Sequence, residues 1–477
     1  MGYPNTLAFL VLLLWPIVAV AAFRVLGPAR GLVVTLVAAH LLLPTGLARF
    51  ELPVLPSMDK YTIPSFAALG IAILFYRPLL RLWPQSWFAR LFIILYVIGP
   101  LFTTLGNLDP ITWGPLWLPG MQLKEVPALM LRQIATLAPF ILGRSLLAGE
   151  DGLRLLTWTL VLSALAYSLP MLLEVRLSPQ LNTWIYGYFQ HDFIQMMRGD
   201  GFRPIVFLDH GLWAALLVST AIMAVCILLR SGGAEAPVLR IALMLFWLLA
   251  VLIACKSLAS IIYVLLICPI ILFASFRMQV RIAALLGIMA FSYPLARGLG
   301  FVPTTTMVRL AEDISNPTRA QSLEYRFNNE EVLVERASER PLFGWGIWGR
   351  NHVHDPVSGR IMTVTDGRWI VTMGGFGWVG FIAEFGLMLI PLLNLWSRRS
   401  AQTSLAAGQA LILAVIMVDQ IPNASFTPIT FLYAGALLGW AERPEAKTAK
   451  NRTVNRTPTI PVLLGGHGGP ARPPSII

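Results

Sequence analysis

Three stretches concentrate reactive side chains in a chain that otherwise avoids them. "GFRPIVFLDHGLW" sets Arg203, Asp209 and His210 at the opening of an apolar run. A charged group inside a bilayer costs about 3 kcal/mol on insertion scales, so such residues are usually functional or face water. Arg203 could instead snorkel at the interface, and Asp209 and His210 could simply pair with each other. In "ACKSLASIIYVLL", Lys256 stands between two apolar runs, either marking an outer turn or serving as a buried cation aimed at an anion. The third stretch runs from Arg326 to Arg368 and adds Arg350, His352, His354 and Asp366. Guanidinium forks suit phosphate oxygens, and a carboxylate or an imidazole can take a proton from a hydroxyl.

Other chemistries are poorly served. His352 and Asp355, with His354 between them, could touch a metal on paper, but a closed site needs further ligands that are missing; no metal and no other cofactor is expected. No HExxH, CxxC, P-loop or GxSxG motif occurs. Cys226, Cys255 and Cys268 lie in hydrophobic runs and read as small packing residues. His40, on an apolar face, reads the same way. The net charge of +12 has no basic stripe or nucleic-acid motif beside it, so nucleic acid is not expected as a partner.

The elements that must position these residues are membrane spans. Only 13% of the 477 residues are charged, against about 25% in soluble chains, and the mean hydropathy is +0.70. A spanning helix needs about 20 apolar residues, whereas a barrel would read as alternating strands of roughly 10 residues. The fold class is therefore an all-α polytopic membrane protein. Spans are predicted at 7–23, 31–48, 64–82, 88–105, 127–147, 153–173, 205–229, 239–255, 257–276, 280–296, 371–395, 403–421 and 426–441.

Charge sets the expected orientation. The connections after the first, third, seventh, ninth and eleventh spans carry Arg24, Arg30, Arg77, Arg81, Arg90, Arg230, Arg240, Arg277, Arg281, Arg398 and Arg399, with Glu235 as their only acid. Basic connections stay in the cytoplasm, which puts the N-terminus outside and the C-terminus inside. The first span lacks a basic leader and reads as a signal anchor. The chain thus divides into spans over 1–296, a large outer loop over 297–370, further spans over 371–441, and a Pro/Gly-rich basic tail over 442–477 that reads as disordered. From Arg297 to Arg368 the loop balances nine Arg against nine Asp or Glu. Leu323, Phe327 and Val334 make a weak helical stripe, with Ala320 and Glu331 expected on the same face, and Pro341 stops that helix. Trp345 and Trp348 could serve as headgroup-level anchors of a helix lying on the membrane. A loop this long is usually functional or disordered, and its aromatics and balanced charge favour a folded element.

Arg326 lies 15 residues before "PLFGWG" (Pro341 to Gly346), and Gly377 and Gly380 open a later span. This arrangement, over roughly 198–387, resembles the O-antigen ligase and O-antigen polymerase family of bacterial inner-membrane enzymes, which look like GT-C glycosyltransferases. The family's His-Asn falls on Asp366-Gly367 here, its Glu on Gly375, and its intramembrane Arg is replaced near Lys256. The resemblance implies transfer of a glycan from an undecaprenyl-diphosphate carrier, without a metal, at the periplasmic face. It assigns Arg203, Arg326 and Lys256 to the diphosphate and Asp366 to the acceptor hydroxyl, with His352 and His354 as further candidate bases. Asp209, His210, Arg350 and Arg368 would support them; in the alternative reading Asp366 only orients Arg350 or Arg368. The missing His favours polymerisation over ligation to lipid A core. Expected partners are the lipid-linked donor, a glycan acceptor, and export or chain-length-regulating proteins. The rival classes are a lipid-linked glycan flippase or other transporter, and a structural partner of an export complex.

Overall fold

The computed structural model describes residues 2–198, 201–232, 237–314 and 317–443. The predicted tail from 444 onward lies outside them, as does Glu235. Fifteen α-helices follow one another among the described residues: α1 (Thr6–Leu42), α2 (Thr62–Phe75), α3 (Trp87–Leu105), α4 (Val126–Leu146), α5 (Glu150–Leu177), α6 (Leu181–Tyr186), α7 (Gly211–Arg230), α8 (Val238–Ala254), α9 (Leu258–Phe273), α10 (Phe276–Gly298), α11 (Thr304–Ile314), α12 (Pro317–Ser338), α13 (Arg368–Ser397), α14 (Ser404–Asp419) and α15 (Pro428–Ala441). Seven are long and apolar enough to cross a membrane, and five more are shorter apolar helices. Four short 3-10 turns and two small hairpins complete the described helices and strands: β1 (Ile111–Trp113) with β2 (Leu116–Leu118), and β3 (Met197–Arg198) with β4 (Gly201–Phe202). The chain is an all-α polytopic membrane protein. Leu13, Ile17, Phe246, Leu265 and Leu266 are exposed along spans, which suits lipid and would be an aggregation liability in water.

α1 contains two predicted spans. Its helix breaks at Gly27, whose φ of +77° and ψ of 174° fall in a region essentially reserved for glycine. The halves fold back on each other, because Trp15 Nε1 donates to the Thr35 carbonyl at 3.2 Å. Twenty residues of straight helix would hold those positions about 30 Å apart.

α13 breaks in the same way at Gly377 (φ +64°, ψ −166°), where one continuous span over 371–395 was expected. Arg368 and Glu384, which straight helix would separate by about 24 Å, are bonded at 2.6 and 3.1 Å. A break inside a membrane protein frees backbone groups that need new partners. "PLFGWG" supplies them. The Pro341 and Leu342 carbonyls accept from Trp378 and Val379 N–H at 2.8 and 3.1 Å, while Trp345 and Gly346 N–H donate to Gly374 and Gly375 carbonyls at 2.8 Å each. The motif thus plugs the break in α13.

Consecutive spans alternate between two ends of the bundle. At one end Glu442 accepts from Gln85 and Ser86 N–H and pairs with Arg144 at 2.6 Å. The connections bearing Arg77, Arg81, Arg90, Arg398 and Arg399 lie here, and this is the basic end. At the opposite end Asn5 N–H reaches the Tyr186 carbonyl, Asn107 reaches Gly344, and Arg368 N–H reaches Gln420. The long loop folds at this opposite end. α12 buries Ala320 and Phe327 of the predicted stripe, together with Leu333 and Ala337, while Leu323 and Val334 are only half-buried. The buried acid on that face is Glu330, however, and Glu331 is 75% exposed.

Candidate functional site

Arg203 is held by a segment with no regular structure of its own. Residues 203–210 link β4 to α7, so their backbone groups must find partners outside any helix. The Glu174 carboxylate accepts from Ile205 and Val206 N–H at 2.9 and 2.7 Å and from Leu181 N–H at 3.1 Å. Tyr167 Oη accepts from Phe207 N–H, Lys60 Nζ donates to the Phe207 carbonyl, and Gln190 Nε2 donates to that of Val206. Asp209 accepts from the Thr45 and Tyr61 hydroxyls. It fastens the segment to the α1–α2 connection and does not pair with His210.

The Arg203 side chain that emerges is 6% exposed. Its Nη2 donates to the Lys256 carbonyl at 3.2 Å, and its Nε is buried without a partner. Lys256 occupies a left-handed turn between α8 and α9 (φ +52°), and its Nζ donates to the Arg198 carbonyl at 2.7 Å. It is therefore the exposed turn residue rather than a buried cation, yet its ammonium reaches back to the β3–β4 hairpin. Burial, with the charges of Arg198 and Arg326, draws the Arg203 guanidinium down to about 10, still protonated at neutral pH. His210 caps α7, its Nδ1 accepting from Leu212 N–H at 2.9 Å and its ring standing edge-on to His191 at 4.6 Å. Burial first, then His191 and the charges of Arg203, Arg326 and Arg198, lower it to about 3. It is a neutral group in a cationic setting.

α12 brings the second half of the site. Arg326 Nε stands 3.3 Å from Asp366 Oδ2, both about one-third exposed. Asp366 therefore partners Arg326 and neither Arg350 nor Arg368, the two that the alternative reading gave it. One turn further along α12, Glu330 is 7% exposed. Tyr293 Oη donates to its Oε2 at 3.0 Å, and Arg297 Nε stands 3.7 Å away, too far for a hydrogen bond. Burial raises Glu330 to about 7; the Tyr293 hydrogen bond and the Arg297 and Arg326 charges oppose the rise, and Asp366 adds to it. Asp419, at the end of α14, accepts from Tyr263, Asn423 and Ser425. The Arg326 charge reaches Arg203, His210 and Glu330 alike. The 203–210 segment, α12 and the late loop thus share one electrostatic environment.

The remaining candidates lie elsewhere. His352 Nδ1 is 3.2 Å from Thr363 Oγ1, and His354 packs beside Trp113 at 6.0 Å. Both belong to a small hairpin closed by Val353–Met362 and Asp355–Arg360 backbone bonds. Both are lowered, mainly by burial, and the charges acting on His354 are those of His352 and Arg336. Arg350 is 1% exposed and donates to the Trp345, Pro119 and Asp109 carbonyls at 3.3, 2.7 and 2.9 Å. It clamps the loop to the α3–α4 connection. Arg368 is spent on Glu384. Trp345 is buried beneath Arg336 (3.4 Å), which leaves Trp348 as the exposed one of the two expected anchors.

Sequence reasoning missed Glu330, Tyr293, Arg297, Arg198 and His191. Glu330 was findable, four residues beyond Arg326 and so on the same face of the helix. Among the described residues no group of three or more His, Cys, Asp or Glu side chains could hold a metal. The sequence matches no model of a known protein family and no curated protein.

Proposed function

We propose that the chain is a membrane glycosyltransferase that polymerises an undecaprenyl-diphosphate-linked glycan at the periplasmic face of a bacterial inner membrane. The observation that carries this reading is that Arg203 and Arg198, linked through Lys256 and the β3–β4 hairpin, lie at the end of the bundle opposite the basic connections, within reach of the Arg326 charge. The basic end belongs in the cytoplasm by the positive-inside rule, which turns the Arg cluster outward. Among the described residues Asp366 is the only acid paired with that trio. Arg203 keeps a buried Nε donor free.

In this reading Arg203 and Arg326 grip the lipid diphosphate, with Lys256 at the rim. The acceptor hydroxyl oxygen attacks the anomeric carbon, and the bond from that carbon to the phosphate oxygen breaks. Charge grows on the departing diphosphate, where fixed guanidinium donors are worth about 10²–10³ in rate apiece. The hydroxyl proton goes to a carboxylate. Asp366, the base expected from the sequence, is engaged by Arg326; Glu330, half-neutral near pH 7, is better poised to accept a proton. The test is purified protein in nanodiscs with a lipid-diphosphate-linked repeat unit, read as glycan chain length on a gel. Chain lengthening that falls about 100-fold in Arg203→Ala and Arg326→Ala is expected; no lengthening by the wild type, or indifference to both changes, overturns it.

One observation favours a second class. Transporters bind substrate at broken helices, and α13 is broken at Gly377. Its freed backbone groups are taken up by "PLFGWG", not left facing a cavity. Lipid-linked glycan crossing vesicles that hold the protein, without chain growth, would select this reading.

A further inference from the structure

A second feature of the same end lies outside the Arg cluster. A cleft of about 350 Å³ opens between the α1–α2 connection, the start of α4 and the late loop. Its volume is that of a small-ligand site. Two of its wall residues, Val54 and Trp348, have φ of +65° and +66°. A β-branched or bulky residue in the left-handed region is a real outlier, and such strain collects at ligand clamps. Here it holds Trp348 64% exposed, while nearby Trp345 is buried.

The charges in the cleft are of two kinds. Glu51 is tied to Arg49 at 2.6 Å and to Ser57, and Glu125 to the Gln122 N–H. These carboxylates are fixed acceptors. Lys124 and Arg132 also line the cleft, and among the described residues neither side chain makes an ion pair or hydrogen bond. An exposed indole face, fixed carboxylates and two spare cations together suit a pyranose that carries an acid group. The ring lies on Trp348, its hydroxyls donate to the carboxylates, and its acid meets Lys124 and Arg132. A phospholipid headgroup would use the cations but has no need of the carboxylates.

We infer that this cleft binds an acidic sugar of the acceptor glycan. Its meaning as an acceptor subsite rests on the glycosyltransferase reading, but its occupancy can be measured without turnover. The probe is a glucuronate-containing tetrasaccharide, titrated against the protein in phosphatidylcholine nanodiscs, with a neutral glucose tetrasaccharide of equal length in parallel. Saturable binding of the acidic probe is expected, at least tenfold tighter than the neutral one. Lys124→Gln with Arg132→Gln should weaken it at least tenfold, and Trp348→Ala several-fold with partial rescue by Trp348→Phe. Arg203→Ala, whose site is separate, should leave it unchanged. Should Arg203→Ala abolish chain growth while no variant alters tetrasaccharide binding, the acceptor subsite fails and the transferase reading stands. Equal binding of both probes, or displacement of the acidic probe by phosphatidylglycerol in the nanodisc, also overturns it. In the last case the cleft is a headgroup site.

Discussion

Replacing Glu330 by Gln should make the protein more stable and less active at once, and the pH dependence separates the two effects. Glu330 is 7% exposed and is raised from 4.5 to about 7, with burial as the first cause. An acid raised by folding binds its proton more tightly in the folded state. The penalty is absent below the unfolded pKa, grows as pH rises from 4.5 to 7, and is complete above that window. At 1.36 kcal/mol per unit, the full penalty is about 3 kcal/mol. Gln keeps an acceptor for Tyr293 and carries no charge. The assay is chemical unfolding in detergent micelles at pH 5 and pH 8, wild type beside variant. The variant's advantage should widen by about 2.5 kcal/mol between the two, since part of the penalty is already present at pH 5. In the polymerisation assay the wild-type rate should rise about tenfold per pH unit below 7 and level off above it, while Glu330→Gln loses roughly 10²–10⁴ in rate and that ascending limb. A constant stability difference across the window would refute the buried-acid argument. An unchanged pH–rate profile would refute its role as a base.

Other perturbations probe the scaffold. Gly377→Ala should cost about 3 kcal/mol or more, from a backbone region that alanine avoids and a Cβ only 2.4 Å from the Leu342 carbonyl group; lowered thermal stability and protease sensitivity in the late loop would report it. Arg350→Met removes hydrogen bonds to the buried Trp345 carbonyl and to the part-buried Pro119 and Asp109 carbonyls and should cost about 1–3 kcal/mol for the one buried group it orphans, while the folded fraction keeps its rate per molecule. Glu174→Gln leaves the amide nitrogen facing backbone N–H groups in the cage around 203–208; the KM for the lipid-linked donor should rise several-fold with little change in kcat.

Much of the fold was legible because apolar runs and basic connections are direct consequences of the bilayer. The helices fall on the predicted spans except over 43–48, 76–82 and 205–210, which are not α-helical, and the α1 break was visible as a polar Arg24–Arg30 gap. The α13 break was not, because "MGGFGWVG" remains apolar through the turn and periodicity sees no interruption. Its partner, "PLFGWG", was read as a motif without its structural use. Arg203 drew notice because charge at a span end needs a reason, whereas Arg326, inside the long loop, was singled out only by its spacing to "PLFGWG". The burial of Arg350 and the pairing of Arg368 with Glu384 were not, because the sequence does not tell a structural guanidinium from a spare one. Glu330 was lost to its neighbour: adjacent acids lie about 100° apart on a helix, and a weak stripe does not choose between them. The histidines drew notice by residue type, yet they fold into a separate hairpin.

The most direct test of the account is a double-mutant cycle on affinity for the undecaprenyl-diphosphate-linked glycan, with Arg203→Ala, Arg326→Ala and the double variant in nanodiscs. Two guanidinium groups gripping one diphosphate should each lose at least tenfold alone, and the double variant should lose clearly less than the product. Losses that multiply, or single variants that bind as the wild type does, would contradict it.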